Sequence, residues 1–385
     1  MIKCSYKQQE KIMKQVYIGR WTSKPVPKGL CRYEFDEDTG AMVLKEEILT
    51  DITIGAQYLD RKKKILYAAD EGFRAVNGAE TGGVFAVQLK QDGSFGDILS
   101  YTASANPKTS YIWPVKGGEY LVISNHSSSK AVRHAVIKDG HVYMEEVRDQ
   151  ASLNLLRLNE DGSVRELCDA LIYDSAETDG NVRFPHIHNV MADPKGRMFI
   201  ACDKGMDRII TFRADTGTGK LIGMQMTETE DNTAPRYTVF HPEADIVFVN
   251  NENWPGICSY RFNAQTGALQ LLQSLVIGDV SYRKPNASDL VLNENGTMLY
   301  AALRLTDEIV MIRTSSTGSM EEAGRISCLG KGPRGLYISG NRLFCMNRDS
   351  GEAVCFALDE QGMPDTEHAV ISQAPLAGNM TMLEV

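Results

Sequence analysis

Two histidines two residues apart, His186 and His188, stand in the run HIHNVMAD, which reads as a strand. In extended chain, residues i and i+2 face the same side, so both imidazoles share one face. An imidazole titrates near neutral pH and can take or give a proton there. Further along come Pro235-Arg236, Asn251-Glu252, Leu303-Arg304 and Pro333-Arg334. Guanidinium groups bind carboxylate or phosphate through paired hydrogen bonds. They also stabilise negative charge that develops on a carbonyl oxygen, and a carboxylate beside them can orient an imidazole or hold its protonated form. The chemistry these groups would do together is proton transfer on a small anionic molecule. Each has a plainer reading. A strand histidine is more often structural than catalytic. Arg236 and Arg334 each follow Pro in a turn and fit equally well as arginines that bond backbone carbonyls between repeats. HIH also fits a metal pair, but neighbouring arginines repel a cation and the spacing supplies no third ligand. No metal and no cofactor is expected, and neither a Gly-rich phosphate loop nor a GxSxG elbow occurs.

The elements that must position these groups show as a repeat. Seven short polar stretches end in glycine between strand-like runs: Gly40, Gly93, Gly162, Gly219, Gly267, Gly318 and Gly362, at intervals of 53, 69, 57, 48, 51 and 44 residues. Such glycines accept the positive φ of tight hairpins. A repeat of this length points to a stacked or radial architecture. The clearest unit reads as four strands, HIHNVMAD, RMFIACD, RIITFRAD and KLIGMQMTE, and the next three units repeat it. Helical periodicity is weak throughout. The expected fold is all-β, a seven-bladed β-propeller of four-stranded antiparallel blades. Its first unit, starting at VYIGRW (16–21), lacks an innermost strand, and NMTMLEV (379–385) reads as a first strand with nothing after it. The C-terminal strand is therefore expected to join the N-terminal blade and close the ring. Residues 1–15 read as an N-terminal extension and 16–385 as one propeller domain. Residues 126–150, in the third unit, read as an extended hairpin or loop over one face that limits access.

The second strand of every unit ends at a comparable position, which gives Arg20, Glu71, His126, Lys204, Glu252, Arg304 and Arg348 around the ring. In the fourth unit Asp203 fits the register equally. Solvated strand ends explain one or two charges; seven ionisable groups in a row point to a built mouth. Antiparallel pairing brings the start of each first strand beside the end of the second, so His188, Arg236, Ser288 and Arg334 should meet this ring. The mouth then carries excess positive charge on a chain whose formal net charge is −9. Walls of one charge sign concentrate ligands of the other, which implies an anionic small-molecule substrate.

Bulk properties exclude other classes. A hydrophobic share of 43% and a charged share of 24% suit a globular chain, and the acidic balance argues against nucleic-acid binding. No run of 18 apolar residues suggests a membrane span. The start MIKCSYKQQEKIMKQ is not a secretory signal, so a cytoplasmic location is expected. The eight cysteines form no CxxC pair and read as free, buried thiols. Nothing in the sequence fixes an oligomeric state.

These residues carry a resemblance. YIGRWTSKPVPKGLCRYEFDEDTGAM resembles the opening of the seven-bladed lactonase family, which includes propeller-type 6-phosphogluconolactonases. HIHNVMADPKGRMFIACDKGMDRI, APRYTVFHPEADIVFVNNE and SDLVLNENGTMLYAALR are similar to that family's HxH strand, its GPR…HP…VNE signature and the blade that follows. The resemblance runs from Val16 onward. It implies His188, Arg236, Glu252 and Arg304 as the catalytic set of a cofactor-free lactone hydrolase. His186 lies beside this set, and by the ring geometry it would join Arg20, Glu71, His126, Lys204, Arg334 and Arg348 in binding an anionic, sugar-derived lactone such as 6-phosphogluconolactone. The related fungal carboxymuconate cycloisomerases share the fold and a His/Arg/Glu/Arg site, so a cycloisomerase is the alternative, and a non-catalytic ligand-binding propeller a third. The chain departs from the family pattern at Arg20, where Thr is usual, and at Asn125-His126-Ser127, in place of Asn-Tyr-Gly.

Overall fold

The computed structural model describes residues 13–178, 180–281 and 286–383, and every regular element among them is a strand. The strands assemble into seven four-stranded antiparallel sheets, the blades of a propeller. Blade 1 is completed by the far end of the chain. Its strands Met13–Arg20, Gly29–Asp36 and Met42–Ile48 are joined by Ala377–Leu383, which pairs with Met13–Arg20 through Tyr17 opposite Thr381 and Ile18 opposite Met380. Blades 2 to 7 follow in order at 54–103, 109–173, 187–228, 235–276, 287–327 and 333–373. The expected ring closure is therefore present; Glu384 and Val385 lie outside the described residues.

The seven marker glycines explain the regular spacing. All sit in the turn between third and fourth strands, with φ between 67° and 90°. This left-handed region is open to glycine without the Cβ clash that other residues meet. The turns also join neighbours. Tyr17, Tyr67 and Tyr300, on second strands, donate their hydroxyls to the carbonyls of Gly93, Gly162 and Gly362 in the next blade.

Apolar side chains form seven clusters, one in each gap between adjacent blades. Phe35 of blade 1 meets Phe344 of blade 7 edge-on, for example, with ring centroids 5.2 Å apart. A middle strand is covered on both faces, so its body is apolar: Ile246–Asn251 and Met298–Leu303 are buried at every residue, the former ending in Asn250 and Asn251. Outer strands such as Lys220–Glu228 keep exposed residues on the solvent side. Of the cysteines, Cys31, Cys202, Cys258, Cys328, Cys345 and Cys355 are free and buried and Cys168 is free and half-buried, while Cys4 lies outside the described residues.

Two additions interrupt the ring. In blade 3 a regular two-stranded hairpin, Ala131–Lys138 with His141–Arg148, stands between the second and third strands. A shorter one, Ala176–Thr178 with Asn181–Arg183, links blades 3 and 4. The first lies within the segment expected to project, and it is a well-paired ribbon rather than a loop.

Candidate active site

Each innermost strand carries a bulge near its start. The pairing register slips around Gly378, Gly55, Ser110, His188, Arg236, Ser288 and Arg334, taking blades 1 to 7 in turn. A bulge leaves a residue out of the ladder and re-aims its side chain. Four of these residues, in blades 1, 2, 3 and 6, are Gly or Ser and the other three, in blades 4, 5 and 7, are His or Arg. Members of this inner ring also tie the blades together. Ser110 Oγ donates to the Ile187 carbonyl at 2.8 Å, Arg236 Nη1 to the Ser288 carbonyl, and Ser288 Oγ to the Pro333 carbonyl at 2.5 Å.

Beside this ring stand the ends of the second strands, and three blades converge on one carboxylate. Glu252 pairs with Lys204 at 2.7 Å, with Arg304 at 2.6 Å and with Arg236 at 3.5 Å. Burial alone would raise its pKa, but the three cations hold the carboxyl well below the usual range. Burial lowers the pKa of Lys204 and Arg304. One anion against three cations leaves this core with a net positive charge. Arg304 is fixed further by donating to the carbonyls of Asn286 and Ala287, both at 3.1 Å.

The imidazoles form a second group. The His126 ring lies 5.4 Å from His186 and 5.2 Å from His188, and His188 lies 5.2 Å from Tyr237. Burial comes first among the causes that lower all three pKa values. Arg236 and Lys204 add to it at His188, His186 and Lys204 at His126, and Lys204 and Lys108 at His186. His186 falls to about 4. All three rings are therefore neutral near pH 7. His188 Nδ1 and His126 Nε2 are buried and find no hydrogen-bond partner among the described residues, whereas His186 Nε2 bonds Ser129 Oγ at 2.8 Å. A neutral imidazole with a nitrogen to spare, beside fixed guanidinium groups, can accept a proton from a water or substrate while the cations take up the charge that forms.

The model of one family, a seven-bladed β-propeller lactonase, matches residues 15–373. The chain belongs to this lactonase family. The chain is 22% identical over 356 residues to a 6-phosphogluconolactonase of Bacillus subtilis, with 90% of this chain and 91% of that protein covered. A 6-phosphogluconolactonase of Formosa agariphila is 22% identical over 357 residues, with 89% and 92% covered. Among solved structures, the periplasmic gluconolactonase of Pseudomonas aeruginosa superposes with a TM-score of 0.79 at 17% identity, covering 96% of this chain and 99% of that one. At that identity the structural likeness speaks to the fold alone.

Within this lactonase-family propeller, His126, His186, His188, Lys204, Arg236, Glu252 and Arg304 lie together. Glu71 and Arg334 are close by on the blade 2 and blade 7 side, where Arg334 lies over the Trp21 ring at 4.0 Å. Burial raises the Glu71 pKa against the opposing pull of Arg334, and burial lowers Arg334 to about 10. Arg348 is 5.4 Å from the same indole and pairs with Asp349 at 2.6 Å. Arg20 is the exception. Its guanidinium turns away along its own blade to Glu47, at 2.5 Å, and the next residue, Trp21, takes the place beside Arg334 and Arg348. Asp203, the alternative in blade 4, also faces away, to Arg208 at 3.0 Å and to the His186 N–H at 2.7 Å. Glu252 bonds the three cations and makes no hydrogen bond to His188 among the described residues.

Two residues near the mouth escaped the sequence reading. Trp21 is uncharged and so falls outside a ring read from ionisable residues. Asp289 follows Ser288 in the blade 6 bulge and accepts the Leu290 and Leu336 N–H groups, both at 2.8 Å; burial lifts its pKa to about 6. The signal for Asp289 was adjacency to a ring position, which alternation alone assigns to the opposite face.

Proposed function

We propose that this protein is a lactone hydrolase whose substrate is an anionic, sugar-derived lactone such as 6-phosphogluconolactone. The observation that carries the reading is a neutral, buried imidazole, His188, beside a carboxylate-anchored group of three cations. Family membership and the printed names of the relatives point the same way.

His188 serves as general base: it takes a proton from water as the oxygen attacks the lactone carbonyl, and returns it to the ring oxygen as the C–O bond breaks. Arg236, fixed at Nη1 by the Ser288 carbonyl, faces the developing oxyanion. Glu252 keeps Lys204, Arg236 and Arg304 from repelling one another apart. No electrons are transferred, and the products are the hydroxy acid and, after ionisation, one proton. The cycloisomerase chemistry of related propellers would set the same imidazole against a carbon-bound proton.

The test is hydrolysis of 6-phosphogluconolactone, corrected for the fast spontaneous reaction, with carboxymuconate assayed in parallel. His188→Ala should lower kcat by roughly two to four orders of magnitude. A loss below threefold, or turnover of carboxymuconate in place of the lactone, overturns the reading.

A further inference from the structure

Most of the cations first expected to grip the anionic end of the substrate are already engaged, Arg334 over the Trp21 ring being the one without an ion pair among the described residues. Arg304 and Lys204 are bound to Glu252, Arg20 to Glu47 and Arg348 to Asp349. A phosphate or carboxylate on the substrate would have to compete with a protein carboxylate at each. Beside the histidine and arginine groups, between blades 1 and 2, opens a cavity of about 620 Å³ that shares Trp21 and Glu71 with them. Ligand clefts commonly span about 300–1,000 Å³. Its charges divide cleanly. Arg74 is taken by Asp70 at 3.3 Å and Asp51 at 3.9 Å, and Glu71 feels the positive charge of Arg334. Two lining cations, Lys28 and Lys108, make no ion pair among the described residues. The wall itself carries three cations and three carboxylates; with Arg334, which faces Glu71, the balance is one positive charge.

Lys108 stands just before the first strand of blade 3, at a place where a left-handed residue recurs in blades 1, 5 and 7 as Leu376, Ala234 and Gly332. The φ of Lys108 is 55°, a left-handed value uncommon for a residue other than glycine. Its N–H donates to the Gly72 carbonyl of blade 2 at 3.0 Å, and its carbonyl accepts the His126 N–H of blade 3 at 3.1 Å. The ammonium lies 5.3 Å from the centroid of the Phe73 ring, which is 44% exposed. The backbone so held sets Lys108, whose ammonium has no ion pair among the described residues, in the cavity wall directly beside His126.

We propose that the cavity between blades 1 and 2 is the subsite for an anionic arm of the substrate, with Lys108 and Lys28 as its charge partners. The preferred substrate class is a lactone bearing a phosphate or second carboxylate on a flexible chain, its carbonyl at His188 and Arg236 and its arm passing Glu71 and Trp21. This rests on the lactonase reading.

The experiment compares 6-phosphogluconolactone, a lactone with a carboxylate arm and unsubstituted glucono-δ-lactone on the wild type, K108N and K28M. Asn tolerates the left-handed backbone, so K108N removes the charge and spares the turn. K28M gives an independent reading where φ is not an issue. Each variant should lower the ratio of kcat/KM for the phosphorylated over the unsubstituted lactone roughly ten- to a hundred-fold, through KM, in line with the strength of hydrogen bonds to charged groups. The arm giving the larger ratio in the wild type identifies phosphate or carboxylate. Ratios within threefold of the wild type in both variants overturn the subsite. If the wild type hydrolyses no lactone, the lactonase reading fails separately, and calorimetric binding of 6-phosphogluconate against gluconate decides the subsite. Preference for the phosphorylated acid that K108N and K28M abolish supports it; equal affinities, or no binding of either, overturn it.

Discussion

Glu252 concentrates the energetics of the site in one carboxylate. Its three cationic partners come from blades 4, 5 and 6, so their repulsion would act to spread those blades. Removing one member of a buried ion network costs roughly 3–5 kcal/mol, because the charges left behind stay desolvated. Glu252→Gln should therefore lower the midpoint of denaturant unfolding as well as activity, and added sulfate should restore the variant more than the wild type. A midpoint matching that of an exposed control such as Glu360→Gln would show that the cations hold without it. The imidazoles give a second prediction. The base works as neutral imidazole, and burial with nearby Arg236 places the His188 pKa below its ordinary value of 6.5. The base form is thus already full at pH 6.5 and is lost only as pH falls further, through the lowered pKa. kcat/KM should stay flat from pH 8 to 6.5, with its acid limb below that. A limb centred at or above 6.5 would remove His188 as the titrating group.

The blade shows which parts of the site a sequence can carry and which it cannot. Middle strands announce themselves as apolar runs ending at a charged residue, so Lys204, Glu252 and Arg304 were legible as a ring before any coordinates. The HxH and Pro-Arg pieces were legible because they open first strands just before a turn. The bulges were not, since a slip of one residue leaves no trace in composition yet reverses which face a side chain takes. In blade 1 the slip at Gly378 sends Arg20 to Glu47 and brings Trp21 inward; in blade 6 it hides Asp289 behind Ser288. Ion-pair commitment was equally invisible, and it decides which cations remain for a ligand. The small residues at bulges are testable. A Cβ on Gly55 would lie 2.5 Å from the Thr109 carbonyl oxygen and 2.8 Å from Glu71 Oε2. Backbone cannot yield as a flexible side chain does, so Gly55→Ala should cost about 1–3 kcal/mol and displace Glu71. Thermal unfolding measures the first; a changed KM for the lactone reads the second. An unchanged melting temperature would mean that the bulge relaxes freely.

At the scale of the whole molecule, stability should depend on where a segment sits in the ring and not on how many residues it contains. Ala377–Leu383 is the innermost strand of blade 1, and Met380, Met382 and Leu383 are buried in the gaps on either side of that blade. Burying each such side chain contributes about 1.5–3 kcal/mol. Losing three removes an amount comparable with the roughly 5–15 kcal/mol that separates folded from unfolded domains. It would also expose the edge of Met13–Arg20 and leave blades 1 and 7 without the strand that joins them. The hairpin 131–148 is the opposite case. Val132, Ile137, Val142, Met144 and Val147 on it are more than half exposed, and its two ends already meet where the Asp149 N–H donates to the Lys130 carbonyl at 2.9 Å. Its link to the rest includes the exposed Arg148–Glu177 pair, a kind of contact worth about 0–1 kcal/mol. Replacing residues 131–148 with a short Gly-Ser link should therefore leave cooperative unfolding intact, with a melting temperature within a few degrees of wild type. Ending the chain before Ala377, a shorter deletion, should abolish the cooperative transition. Circular dichroism and calorimetry on the two variants side by side decide the matter: a truncated chain that melts like the wild type would mean that the ring stays shut without its clasp, and a hairpin deletion that unfolds the protein would mean that the ribbon carries load the contacts do not show.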